Sequence, residues 1–210
     1  MFQDWGTKGP QDAWLAAGIE DAITASLAGW PGSAVFAEYG YETSPELIDI
    51  MDWCRHLDAD HTRRGAWRAA FRGLGVVAGF HNQWWGFGDY ARDQPGVAAI
   101  TALRHFLTDV VRFADLRPDD TAVVDGPTAT GHRPLALSSA DRRTVAVYLP
   151  AGGTVTVRPD AVATRRARWY DPRTTELTDA DLAESDRGLV ATSPNAGRPR
   201  PDDWVLVVTP

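Results

Sequence analysis

Two hydrophobic rhythms divide the chain. Up to about residue 117, apolar residues recur at helical spacing between short unbroken apolar runs; beyond it, apolar and polar residues alternate. In the first stretch Ser44 is placed to cap a helix with Pro45 in its first position, and Leu47, Ile48, Met51 and Cys54 follow at helical spacing. Trp67, Ala70, Phe71 and Leu74 predict a second helix over about 62–74. Ile100, Leu103, Phe106, Leu107 and Val110 predict the inward stripe of a third, over about 97–113. Val35-Phe36-Ala37 and Val76-Val77-Ala78-Gly79-Phe80 read as buried strands of a parallel sheet, with a further strand expected at Phe2-Gln3-Asp4-Trp5.

The change of rhythm falls near Leu116-Arg117-Pro118-Asp119-Asp120. After it, strands are predicted at 122–125, 135–138, 144–149, 154–158, 167–170, 189–192 and 204–208, separated by turns such as Ala151-Gly152-Gly153 and Asp171-Pro172-Arg173. The stretch 179–186 reads as an acidic loop, and 194–203 as a Pro/Arg-rich loop. Seven short strands with regular turns predict a small antiparallel β-sandwich. The expected organisation is therefore an α/β domain over 1–117 and a β-sandwich over 118–210. Three parallel strands neither close a barrel, which takes about eight, nor cover their own edges. The pattern leads us to expect that the first domain is the last part of something larger.

Composition narrows the function classes. With 44% apolar and 23% charged residues the chain has the make-up of a globular protein, and no run approaches the roughly 18 apolar residues of a membrane span. The net charge of -7 argues against a nucleic-acid-binding surface. Residues 1–5 show no signal-peptide pattern, so a cytoplasmic location is the default expectation. Cys54 is the single cysteine, which excludes an internal disulfide and a multi-cysteine metal site. No cofactor motif is visible: Gly73-Leu74-Gly75 precedes a strand and ends a helix, and no Gly-x-Ser-x-Gly elbow occurs.

Candidate chemistry concentrates in Ala34-Val35-Phe36-Ala37-Glu38-Tyr39-Gly40-Tyr41-Glu42, where an apolar run ends at a carboxylate and a second carboxylate follows four residues on. Two readings stay open from the residues alone: a barrel strand presenting a catalytic Glu, or an ordinary strand end with solvated acids. The stretch His56-Leu57-Asp58-Ala59-Asp60-His61 matches no standard metal spacing, and helix capping accounts for its acids.

The chain resembles the C-terminal part of the apiosidase-like glycoside hydrolases. The resemblance rests on the ordered set formed by residues 34–42, by Ala78-Gly79-Phe80-His81-Asn82-Gln83-Trp84, by Arg168-Trp169-Tyr170-Asp171-Pro172-Arg173-Thr174-Thr175 and by Asp203-Trp204-Val205-Leu206. It implies the last strands and helices of a (β/α)8 (TIM) barrel followed by a β-domain that carries a collagen-binding label. Thr175 stands where the family has a turn glycine, and the first five strands of such a barrel have no counterpart here.

The resemblance also implies roles. Glu38 would be the nucleophile of a retaining glycosidase acting on polysaccharide side chains. Glu42 would accept a sugar hydroxyl or hold Glu38, and Tyr41 would donate to Glu38. Trp84 and Trp85 would stack on sugar faces, while His81 and Gln3 would bind hydroxyls. No metal or cofactor is implied. The expected partners are a carbohydrate and either a separate N-terminal half-barrel that supplies the general acid or a second copy of the chain. The alternative class is a non-catalytic carbohydrate- or protein-binding accessory protein in which the β-sandwich is the working part.

Overall fold

A computed structural model describes residues 2–4, 23–25, 27–30, 33–39, 41–42, 58–77, 79–80, 95–129, 131–158, 166–197 and 202–210. The chain forms two compact units, Met1–Arg104 and His105–Pro210.

In the first unit, β1 (Phe2–Asp4), β2 (Val35–Tyr39) and β4 (Gly75–Val76) form a parallel sheet in the order β1-β2-β4, and β3 (Tyr41–Glu42) pairs in parallel with β5 (Gly79–Phe80). Helix α1 (Ala59–Phe71) lies in sequence between the parallel neighbours β2 and β4, which makes a β-α-β crossover, and it packs against β3 and β4. It begins three residues before the expected start, because Asp58 caps it. The Asp58 carboxylate accepts the His61 backbone N–H at 3.1 Å and the Asp58 backbone N–H donates to His61 Nδ1 at 3.4 Å, a reciprocal capping box. The capping role read for this acid from the sequence is the one it plays. Trp67, Ala70, Phe71 and Leu74 are all buried, and so are His61, Arg63 and Arg68, so α1 is enclosed on more than the one face its pattern suggested. The helix expected after Ser44 lies outside the described residues.

Helix α2 (Pro95–His105) does not continue to Phe113. It widens into a π-turn over Phe106–Val110, closed by the Val111 N–H donating to the Phe106 carbonyl at 2.9 Å. The wider turn changes which residues face inward. Phe106 is fully buried, whereas Leu107 and Val110 are only half-buried.

The second unit is a sandwich of two antiparallel sheets. One has the order β12-β11-β15-β9-β8-β6: β12 (Leu177–Asp179), β11 (Arg166–Tyr170), β15 (Trp204–Thr209), β9 (Val145–Leu149), β8 (Leu135–Ser139) and β6 (Leu116–Pro118). The other has the order β13-β14-β10-β7: β13 (Ala183–Ser185), β14 (Gly188–Thr192), β10 (Thr154–Val157) and β7 (Val123–Asp125). Their inner faces share one core, with Val147, Trp169 and Leu206 from the first sheet and Val155, Leu189 and Ala191 from the second. The outer face of the larger sheet is also buried at Ala146, Tyr148, Tyr170, Val205 and Val207. Phe106 contributes there, its ring 5.0 Å from that of Tyr170. Burial on both faces explains why β9 and β15 are unbroken apolar runs, not alternating ones.

All seven strands expected after Pro118 are present. Three more are not visible in the pattern: β6, β12 and β13, each at the edge of its sheet. Part of the segment read as an acidic loop is thus paired. Its residues are solvated on the outer side, and charged residues or a proline suit an edge that must not recruit another strand. In the β13–β14 hairpin Gly188 has φ 147°, and a Cβ there would collide with the Val157 carbonyl oxygen of the neighbouring strand.

Candidate active site

The parallel strands set two of the sequence-predicted residues of the first unit, Gln3 and Glu38, on paired positions. Phe2 pairs with Phe36, Gln3 with Glu38 and Asp4 with Tyr39, so Glu38 occupies the penultimate residue of β2, opposite Gln3 in the middle of β1. The register skips one residue between the first two pairs, and the extra residue, Ala37, forms a β-bulge.

Val35 pairs with Gly75 and Phe36 with Val76, so Val77 belongs to the face of Val35. Val35 is 40% exposed and Val77 53% exposed, which is unusual for valines in and beside a parallel sheet. Past the bulge, Tyr41 pairs with Gly79 and Glu42 with Phe80, so β3 carries both residues onward from Glu38 beside β5. Gln3 and Glu38 therefore sit on paired strands of one sheet, and Tyr41 and Glu42 on β3 of the separate two-stranded sheet. His81, Trp84 and Trp85 lie outside the described residues. Among the described residues, no group of three His, Cys, Asp or Glu stands close enough to hold a metal ion.

The second unit concentrates its polar geometry at two places. At the first, Arg173 donates to Asp171 through Nε and Nη2, both at 2.8 Å, pairs with Asp202 through Nη1, and lies over the Trp204 ring at 5.1 Å. Trp204 meets Trp169 edge-on at 6.5 Å. One turn and one strand start, far apart in sequence, are thus joined by the residues that carry the Asp-Pro-Arg and Asp-Trp motifs. Burial works against the Arg173 cation, but the hydrogen bonds and charges of Asp171 and Asp202 prevail and hold it firmly protonated. Burial, with the Asp171 charge beside it, pushes the neighbouring Tyr170 phenol far above its ordinary range. Behind Trp204, the buried Asp203 accepts from the Tyr148 hydroxyl at 3.1 Å.

At the second place Asp119 receives Thr121 Oγ1 at 2.6 Å, Ser138 Oγ at 2.7 Å and Arg142 Nε at 2.9 Å. Burial raises its pKa, but these hydrogen bonds and the Arg142 charge outweigh burial, and the carboxyl is held below its ordinary value. Sequence reading did not single out Asp119 or Arg142. Their signal is the left-handed Arg142 (φ 51°), which no local pattern announces.

Residues 117–209 match the family model described as "Putative collagen-binding domain of a collagenase". The whole chain superposes on solved structures of a larger class. One is titled "Glycoside hydrolase", with a TM-score of 0.73, 19% identity, and coverage of 100% of this chain and 51% of that one. Another is a glycoside hydrolase family 5 protein from Bacteroides vulgatus, with a TM-score of 0.72, 20% identity, and coverage of 100% of this chain and 48% of that one. At this level of identity the likeness shows a shared fold, that of glycoside hydrolase C-terminal regions. The chain spans about half the length of the solved structures it matches. No curated protein matches it.

Proposed function

We propose that the first unit is the closing part of a (β/α)8 glycoside hydrolase barrel and that Glu38 is its nucleophile in a retaining reaction. The observation that carries this reading is the placement of Glu38 near the C-terminal end of a parallel strand, paired with Gln3 of the neighbouring strand. Barrel enzymes build their sites at that end of their strands. The chain-long likeness to glycoside hydrolases supports the same reading.

The chemistry runs in two steps. A Glu38 carboxylate oxygen bonds to the anomeric carbon as the glycosidic C–O bond breaks, and an acid/base carboxyl about 5–5.5 Å away protonates the departing oxygen. Water, giving its proton to that same group, then displaces Glu38 from the anomeric carbon. The acid/base belongs to another strand of the barrel, because Glu42 follows Glu38 on the same run and does not flank the bond from the opposite side. Glu42, Tyr41, His81, Trp84 and Trp85 are the proposed sugar-binding residues. The finer assignment, to apiosidase-like enzymes acting on polysaccharide side chains, rests on the ordered motif set.

The test is to express this chain joined to its upstream coding sequence and to assay aryl glycosides and branched plant polysaccharides. Glu38→Gln is expected to lower kcat by about a thousandfold or more with KM nearly unchanged, since a nucleophile acts only in the chemical steps. An active enzyme indifferent to Glu38→Gln would remove the proposal. The family match over 117–209 favours a second reading, an accessory binding domain. Under it, polysaccharide or collagen would be retained without turnover, and Glu38→Gln would change nothing.

A further inference from the structure

We infer that the first unit carries a docking surface for a preceding β/α segment of about five strands, which joins the free edges of β1 and β4 and covers Val35 and Val77. The inference rests on the barrel reading above and deepens it by naming the surface and what fits it.

The surface has two free edges and one bare face. Among the described residues, β1 and β4 each have β2 as their one neighbour. Each therefore presents a row of unpaired backbone N–H and C=O groups on its far side. Parallel sheets occur with both faces covered. Here α1 packs on β3 and β4, and a helix covers only one face of a strand. Ala66, Trp67, Ala69 and Ala70 of that helix are fully buried, whereas Val35, Gly75 and Val77 are all exposed. Val35 and Gly75 are partners in the register, and Val77 shares their face. In a barrel the bare face is the interior, filled mostly by branched apolar side chains such as valine. These residue types suit a packed layer, and their exposure here does not.

Strand count selects the occupant. The unit supplies three parallel tracks: β1, then β2 followed by β3, then β4 followed by β5. A barrel of this class closes with eight strands, so about five remain to be supplied. A second copy of the chain brings three more and leaves the ring open at about six. The solved glycoside hydrolases agree in size. All of this chain superposes on them, yet it covers 51% and 48% of their length, so about half of each is left for the remainder. Strands follow one another in sequence around such a barrel. The last strand of the preceding segment is therefore the neighbour of β1, and its first strand closes the ring against β4.

The experiment uses the chain joined to its upstream coding sequence, with a protease site placed before Met1. After cleavage the two pieces are expected to co-sediment as a 1:1 complex. The amides of β1 and β4 should then exchange hydrogen about tenfold more slowly than in the chain alone, because their free edges are paired. Val35→Glu and Val77→Glu alter positions that are exposed in the chain alone, so the chain should tolerate them. Each is expected to weaken the cleaved complex about 100-fold or more, since it puts a charge into the barrel interior. Where the joined Glu variants do not fold, Val35→Ala with Val77→Ala decides, with an expected weakening of about tenfold. Pieces that part on cleavage, a complex indifferent to all these substitutions, or a closed dimer of the chain that excludes the upstream piece would each overturn the inference. So would an upstream sequence without β/α pattern. If Glu38→Gln keeps its turnover while the pieces hold together, the nucleophile reading fails and the docking surface stands. If turnover depends on Glu38 and the valines do not matter to assembly, only the docking surface fails.

Discussion

Arg173 lies across the ring of Trp204, its guanidinium carbon 5.1 Å from the ring centre, while Asp171 and Asp202 grip its N–H groups. The pair ties the turn after β11 to the start of β15. The Asp-Pro-Arg turn supplies the cation and the Asp-Trp start of β15 supplies the ring. A planar, fork-shaped cation suits both tasks, and an ammonium suits neither well.

Arg173→Ala is therefore expected to lower the stability of the chain by about 2 kcal/mol, because it removes charge-assisted hydrogen bonds and ring contact together. Arg173→Lys should restore less than half of that loss. Urea unfolding of the three proteins measures both values. Equal stability of the Lys variant and the parent would show that only the charge matters.

Thr175 adopts φ 67°, a left-handed conformation that a β-branched residue enters at a cost of about 1–2 kcal/mol. Its backbone N–H donates to the Asp171 carbonyl at 2.9 Å, which closes the turn and needs no side chain. Thr175→Gly relieves the strain but loosens the unfolded chain. A net gain of about 0.5–1 kcal/mol is expected, read as a rise in the thermal midpoint. A fall would mean that the threonine side chain contributes more than its backbone costs.

Asp119 gives a pH signature. Its folded carboxyl titrates below the ordinary value of 3.8, so its contribution to stability is complete above that value. The contribution is lost as pH falls through the lower folded value. The parent should therefore lose stability on acidification below about pH 4 more steeply than Asp119→Asn, which has no such proton to take up. Unfolding free energies measured at steps from pH 5 to pH 2 test this, and parallel curves would refute it.

Val35 and Val77 share the open face of the parallel sheet. Exposed apolar faces promote association, so the chain expressed alone is expected to self-associate and to show little glycosidase activity. Replacing both valines by threonine should shift sedimentation velocity profiles toward monomer. A monomeric parent would show that the face needs no cover.

The rhythm of apolar residues was enough to find the seven strands expected beyond Pro118. In β10, β11 and β14 those strands carry inward residues large enough to mark them. The edge strands β6, β12 and β13 escaped, because an edge strand packs little and its sequence is chosen to discourage pairing. The π-turn after His105 escaped for a related reason: a widened turn leaves the apolar composition unchanged and alters only which residue faces the core. Asp58, by contrast, was legible as a cap, since its hydrogen bonds are local.

Sequence alone determined the local chemistry: the carboxylates after Ala37, the capping acid, the strained threonine and the motifs around Trp169 and Trp204. Tertiary structure decided which of these residues meet. The register that sets Glu38 opposite Gln3 is a property of the pairing between β1 and β2, which lie some thirty residues apart. The grip of Asp202 on Arg173 is likewise a product of the pairing between β11 and β15. Strand register and long-range ion pairs depend on which segments pack together, and a one-residue shift reverses every face. The spacing of residues along the chain does not record that choice.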